Sequence, residues 1–83
     1  MSDTVMWEAR AADGRADELV AFVTAQADPS AQIYRSDRGE SRVVVIDPTG
    51  RGIVDVPPEL LARPAHAWVF EPVPRGGGVG GVN

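Results

Sequence analysis

The first part of the chain changes from strand spacing to helical spacing. In residues 4–11, "TVMWEARA", Val5, Trp7 and Ala9 share one face at a period of two, which predicts a strand. Large apolar side chains stand on both faces near its start, so we expect cover on both sides. The turn signal "ADG" follows, and its Asp13 is a candidate helix cap.

Residues 15–28, "RADELVAFVTAQAD", carry the clearest helical pattern in the chain. Apolar residues recur at steps of three and four, which indicates an amphipathic helix with one buried stripe. Acidic Asp17 and Glu18 stand in the first turn, where they complement the helix dipole, and Pro29 ends the helix. The predicted stripe comprises Ala16, Leu19, Val20, Phe22, Val23 and Ala27.

A β-hairpin is predicted next. The stretches "AQIYRS" and "SRVVVID" flank the polar "DRGE" of residues 37–40, where Gly39 supplies the turn backbone. The first arm alternates, so Tyr34 and Arg35 fall on opposite faces. The second arm is apolar on both faces over residues 43–46, which is typical of a central strand.

The rest of the chain holds one short helix and one strand. After the loop "DPTGRG", residues 57–63 begin with two prolines, and Pro64 limits any helix there to about one or two turns. Residues 66–71 are predicted to form the last strand. The Gly-rich residues 75–83 are predicted to be a disordered tail that follows a single domain of residues 1–74.

The order of elements predicts an α+β fold. Strand, helix, strand, strand, short helix, strand is the split βαβ order of the ferredoxin-like fold, with a four-stranded antiparallel sheet. Helices cover one face of that sheet and leave the other open. A chain of 83 residues without cysteine buries only a small core. We therefore expect a homodimer in which two open faces meet as a dimeric α+β barrel.

Two stretches of the chain also carry a family resemblance. Together "MWEARAADGRADELVAFV" and "AQIYRSDRGESRVVVID" resemble the antibiotic biosynthesis monooxygenase-like families of dimeric α+β barrels, over about residues 5–47. The resemblance implies a barrel with a hydrophobic cavity. Those families continue into a "W-x-[DE]" element and a long second helix that often carries His. Here "PTGRGIVDVPPELLARP" lacks the aromatic and is interrupted by prolines, so no catalytic residue is carried over.

Composition excludes several classes of function. The absence of cysteine and the single histidine exclude thiol nucleophiles and His-rich metal sites. The net charge of -4 argues against a nucleic-acid partner. No membrane-spanning run and no signal peptide are predicted, so we expect a cytoplasmic protein without a membrane partner. No cofactor and no catalytic residue are predicted.

Four side chains are the candidates for a ligand-binding site. The indoles offer flat apolar walls for an aromatic ligand, although packing explains them as well. Imidazole titrates near neutral pH, so the histidine is either a general base or an ordinary residue at the start of a strand. The carboxylates of Asp47 and Asp55 are a candidate pair, and we expect both to serve turns instead. The four candidates are Trp7, Tyr34, His66 and Trp68.

The last strand places its rings on one face. His66, Trp68 and Phe70 alternate with Ala67 and Val69. Because the helices need large side chains opposite them, we expect the rings to face the core and the small residues to face the partner. Substitution of Trp68 by alanine would then leave a cavity. The alternative orientation turns the rings into the barrel interior.

Three functions are compatible with the sequence. The preferred one is a small homodimeric binding or accessory protein that accommodates an apolar or aromatic metabolite. The second is a cofactor-independent monooxygenase or cyclase, which needs a buried polar group aimed into a dry cavity. The third is a structural or regulatory dimer with no ligand, which needs neither the group nor the cavity.

Overall fold

One helix and a single 3₁₀ turn lie on one side of a four-stranded antiparallel sheet. The computed structural model describes residues 3–36 and 38–75. The predicted tail of residues 75–83 therefore lies outside the described residues, apart from Arg75. The sheet order is β2-β3-β1-β4, which confirms an α+β chain compatible with the ferredoxin-like fold. The elements are β1 (Thr4–Arg10), α1 (Ala16–Gln26), β2 (Gln32–Ser36), β3 (Arg42–Asp47), the turn Pro58–Leu60 and β4 (His66–Phe70).

One face of the sheet, here the covered face, is buried beneath α1 and the 3₁₀ turn. Leu19 and Val23 of α1 and Leu60 of the turn are buried against it. Burial alternates residue by residue along β1 and β3, as the period of two predicts. The buried side chains of these two strands are Val5, Trp7, Ala9, Val43, Val45 and Asp47.

The predicted helix is confirmed, with one correction at its start. Leu19 and Val23 are fully buried, and Phe22 packs partly buried against the same core. The residue that caps the helix is Arg15 rather than Asp13, and its side chain makes no capping hydrogen bond. Its guanidinium instead pairs with Glu18 at 3.3 Å, one turn further along.

The other side of the sheet, here the open face, has no element packed on it within the described residues. Large rings stand there: Tyr34 is 54% exposed, Trp68 43% and Phe70 50%. The predicted two-sided apolar character of the central strand is present, because β3 places Val44 and Ile46 on this face. Register assigns to the open face Met6, Glu8, Arg10, Tyr34, Arg42, Val44, Ile46, His66, Trp68 and Phe70.

The predicted orientation of β4 is wrong. Trp68 pairs with Met6 on the open face, whereas Ala67 pairs with Trp7 on the covered face. The register with β1 leaves the indole of Trp7 and the methyl group of Ala67 on the covered side at this point, and it stacks Trp68 on His66 on the open face. The rings of β4 therefore point away from α1.

The second helix is reduced to one turn, at the short end of the predicted length. The chain beyond the turn is tied to the end of β1, because Leu61 forms a β-bridge with Ala11 and the Ala62 N–H donates to the Arg10 carbonyl at 2.9 Å. All five residues of β4 are exposed. Among residues 3–36 and 38–75, no helix covers β4 on the side where a complete split βαβ unit would place one.

Candidate functional site

A groove of about 650 Å³ lies on the covered side of β4, in the position of the missing helix. Trp7 and Ala67 line it from the sheet, and Ile53, Val56 and Leu61 add apolar walls. Its volume falls within the roughly 300–1,000 Å³ of small-molecule sites, which are mostly apolar with a few polar groups. The groove is therefore a place where a small apolar molecule fits.

Trp7 is first of all a core residue. Its side chain is only 3% exposed, beside Val45 on β3 and Ala67 on β4. The packing interpretation of this tryptophan is thus supported, and the same residue also lines the groove. Because a buried indole is held rigidly by its neighbours, it gives the groove a firm floor.

Two charged residues, Asp55 and Arg63, line the same groove, and His66 borders it with its imidazole on the open face. Asp55 has a φ of 59°, and it is the one described residue other than glycine with a positive φ. Aspartate tolerates this left-handed conformation better than most residues, at a cost of about 1–2 kcal/mol. The backbone strain therefore sits in the wall of the groove.

Asp47 does not belong to the site, because it organises the loop that follows β3. It is fully buried, and its carboxylate accepts hydrogen bonds from the Thr49 N–H and hydroxyl and from the Gly52 N–H at 2.6–2.9 Å. Burial raises the pKa of Asp47, but these hydrogen bonds lower it by more, so its pKa lies below the ordinary value. Asp47 therefore serves a turn, as expected, while Asp55 lines the groove.

The structure separates the four predicted ligand-binding residues. Trp7 lies on the covered face, whereas Tyr34, His66 and Trp68 lie on the open face. His66 and Trp68 stack, with ring centroids 5.9 Å apart and planes 24° from parallel. Tyr34 is on β2, the opposite edge strand. Three strand spacings of about 4.8 Å separate β2 from β4, so Tyr34 lies roughly 14 Å from His66 and Trp68. No single pocket can contain all four.

Charged side chains at one end of the open face neutralise one another. The Arg42 guanidinium contacts Glu8 at 2.8 Å and Glu40 at 3.3 Å, and Arg10 contacts Glu40 at 2.8 Å. Arg10 and Arg42 are cross-strand partners, so the two glutamates relieve a repulsion between like charges. This cluster of two acids and two bases has no net charge.

Sequence reasoning named Trp7, Asp55 and His66, which line the groove, and missed the rest of its lining. Ala67 was assigned to the open face, and neither Ile53 nor Arg63 was singled out. The available signal was the prolines of residues 57–64, because a shortened helix uncovers the strand on which it would have packed.

Comparison with models of known families, with curated proteins and with solved structures finds no match to this chain. The family resemblance over residues 5–47 therefore stays a prediction. Within residues 3–36 and 38–75, no cluster of acidic and histidine side chains could hold a metal ion. No helix in that part of the chain is long and apolar enough to cross a membrane.

Proposed function

We propose that this protein is a small homodimeric binding protein that accommodates an apolar or aromatic small molecule. The observation that carries the proposal is the groove on the covered side of β4, with Trp7 and Ala67 at its floor. A chain of this length has a small core and few large side chains with which to fill such a groove. An uncovered, mostly apolar groove of ligand size is the feature that a binding function requires.

The homodimer is proposed to form through the open face. Large exposed apolar patches mark interaction surfaces. The exposed rings of Tyr34, Trp68 and Phe70 share the open face with Met6 and Ile46. A second sheet laid on these side chains would remove them from water at about 25 cal/mol per Å².

Charge on the open face is compatible with a second copy. The chain carries a net charge of -4, which would repel an identical chain at random orientations. The ion-pair cluster of Glu8, Arg10, Glu40 and Arg42 is neutral as a whole. Two open faces can therefore approach without net repulsion between the clusters.

The groove favours binding over catalysis. A monooxygenase or cyclase of the barrel type needs a buried polar group aimed at its substrate. Among the described residues, Asp47 is the buried polar side chain, and its oxygens already accept three hydrogen bonds from its own loop. A binding protein needs no such group.

Binding is tested with the neutral fluorescent probe phenylnaphthylamine, whose emission rises in an apolar site. We expect micromolar binding by the unmutated chain, and a loss of at least about tenfold in Ala67→Phe, because the new ring fills the groove. The matched control is Trp68→Phe, the next residue on the opposite face of β4, which should bind as before. Absence of probe binding, or equal binding by Ala67→Phe, would contradict the proposal.

A further inference from the structure

We infer that the groove selects ligands with a single acidic group, which Arg63 binds; the inference rests on the proposed function and names the ligand class. Arg63 lines the groove and is exposed. Within the described residues, Arg63 forms no ion pair, as is also true of Arg38 and Arg75, and of these three it is the one that lines the groove. Its guanidinium is available to a ligand.

The backbone around Arg63 is held in place. The Ala62 N–H donates to the Arg10 carbonyl at 2.9 Å, and Leu61 pairs with Ala11. Pro64 follows directly and restricts the conformation of Arg63. A guanidinium on an anchored segment loses less entropy when it binds an anion than one on a free loop.

Arg63 stands where the groove opens toward the other side of the sheet. Arg63, Pro64 and His66 line both the groove and a smaller cleft of about 200 Å³ that reaches Arg42 and Trp68. The imidazole of His66 lies on the open face, stacked on Trp68, so we assign the anion to the guanidinium of Arg63. A planar carboxylate or sulfonate matches the fork of an arginine, which binds such groups in bidentate fashion.

Asp55 restricts the ligand to one acidic group. It lines the groove from the segment before the 3₁₀ turn, and it makes no ion pair with Arg63. Asp55 is exposed, and a second anionic group placed beside it would meet a like charge. The groove thus fits an apolar or aromatic body with one carboxylate, and a neutral or hydrogen-bond-donating opposite end.

The test compares two probes with the same aromatic body. Anilinonaphthalene sulfonate carries one acidic group, and phenylnaphthylamine carries none. We expect the unmutated chain to bind the sulfonate at least about tenfold more tightly at low salt, because a charge-assisted hydrogen bond is worth that factor or more. Arg63→Gln should remove this preference and change binding of the neutral probe less than about twofold.

The control is Arg51→Gln, which removes an equal charge from a side chain outside the groove. It should keep the preference for the sulfonate. Equal binding of both probes by the unmutated chain, or an equal loss of preference in both variants, would overturn the role of Arg63 and leave the proposed function standing. Absence of binding by both probes would overturn the role of Arg63 and the proposed function together.

Discussion

The two tryptophans occupy neighbouring positions of the sheet and have opposite surroundings. Trp7 points into the covered face and is 3% exposed, whereas Trp68 points out of the open face and is 43% exposed. One chain is enough to bury the first indole and not the second. The comparison teaches that this small domain covers one side of its sheet over β1 and β3 and leaves large rings exposed on the other side.

The elements that lie over the covered face differ from one strand to the next. Over β3 and β1, the helix buries Leu19 and Val23 against the sheet. Over β4 there is only the loop around the 3₁₀ turn, and Ala67 is exposed beside the groove. The core and the proposed ligand site are therefore neighbours, with Trp7 shared between them.

The largest expected difference is between the alanine variants of the two tryptophans. Trp7→Ala should cost about 3–5 kcal/mol of unfolding free energy, because it empties a buried site. Trp68→Ala should keep the fold and weaken self-association, so that its cost depends on protein concentration. Urea denaturation at two protein concentrations measures both effects. Equal losses that do not depend on concentration would erase the distinction between the faces.

A charge placed on the open face should separate the proposed dimer. Ile46→Glu lies in a row with Met6 and Gln32, so it meets no charged cross-strand neighbour in its own chain. Burying the new carboxylate against a second copy should weaken association at least about a hundredfold, or about 3 kcal/mol. Val54→Glu, on a loop at a position that is 59% exposed, is the control and should stay associated. Sedimentation velocity measures the association of both variants. If both variants stay associated, or if both dissociate, the assigned interface is contradicted.

The smallest expected effect on stability comes from replacing Asp47, the buried polar residue of the covered face. The folded pKa of Asp47 is below its unfolded value near 3.8. Its stabilising contribution is therefore complete above that unfolded value and is lost as the pH falls through the folded pKa. Asp47→Asn should cost about 1–2 kcal/mol at neutral pH, since the Gly52 N–H loses its acceptor. It should also flatten the acid limb of stability in urea denaturation, and an unchanged acid limb would contradict this role.

The sheet and the helix could be predicted because each has a strong local period. Alternation over β1 and β3 and the helical stripe around Leu19 and Val23 appear in the structure within about two residues of their expected bounds. The short second helix followed from its prolines. In each case the signal lies in adjacent residues and needs no knowledge of the partner strand.

The orientation of β4 could not be read from its own alternation. A period of two separates Ala67 from Trp68 but does not tell which of them faces the helices. Register with β1 decides the question, because it pairs Ala67 with Trp7 on the covered face and Trp68 with Met6 on the open face. For the same reason the groove was missed, because it depends on where the loop of residues 48–57 lies over the sheet.

Self-association through the open face is the central claim, and the solution mass of the unmutated chain tests it most directly. Sedimentation equilibrium at micromolar concentration should give twice the mass of one chain. The mass of a single chain under those conditions would contradict the claim, because the exposed rings of β4 would then not be covered by a second copy of the chain.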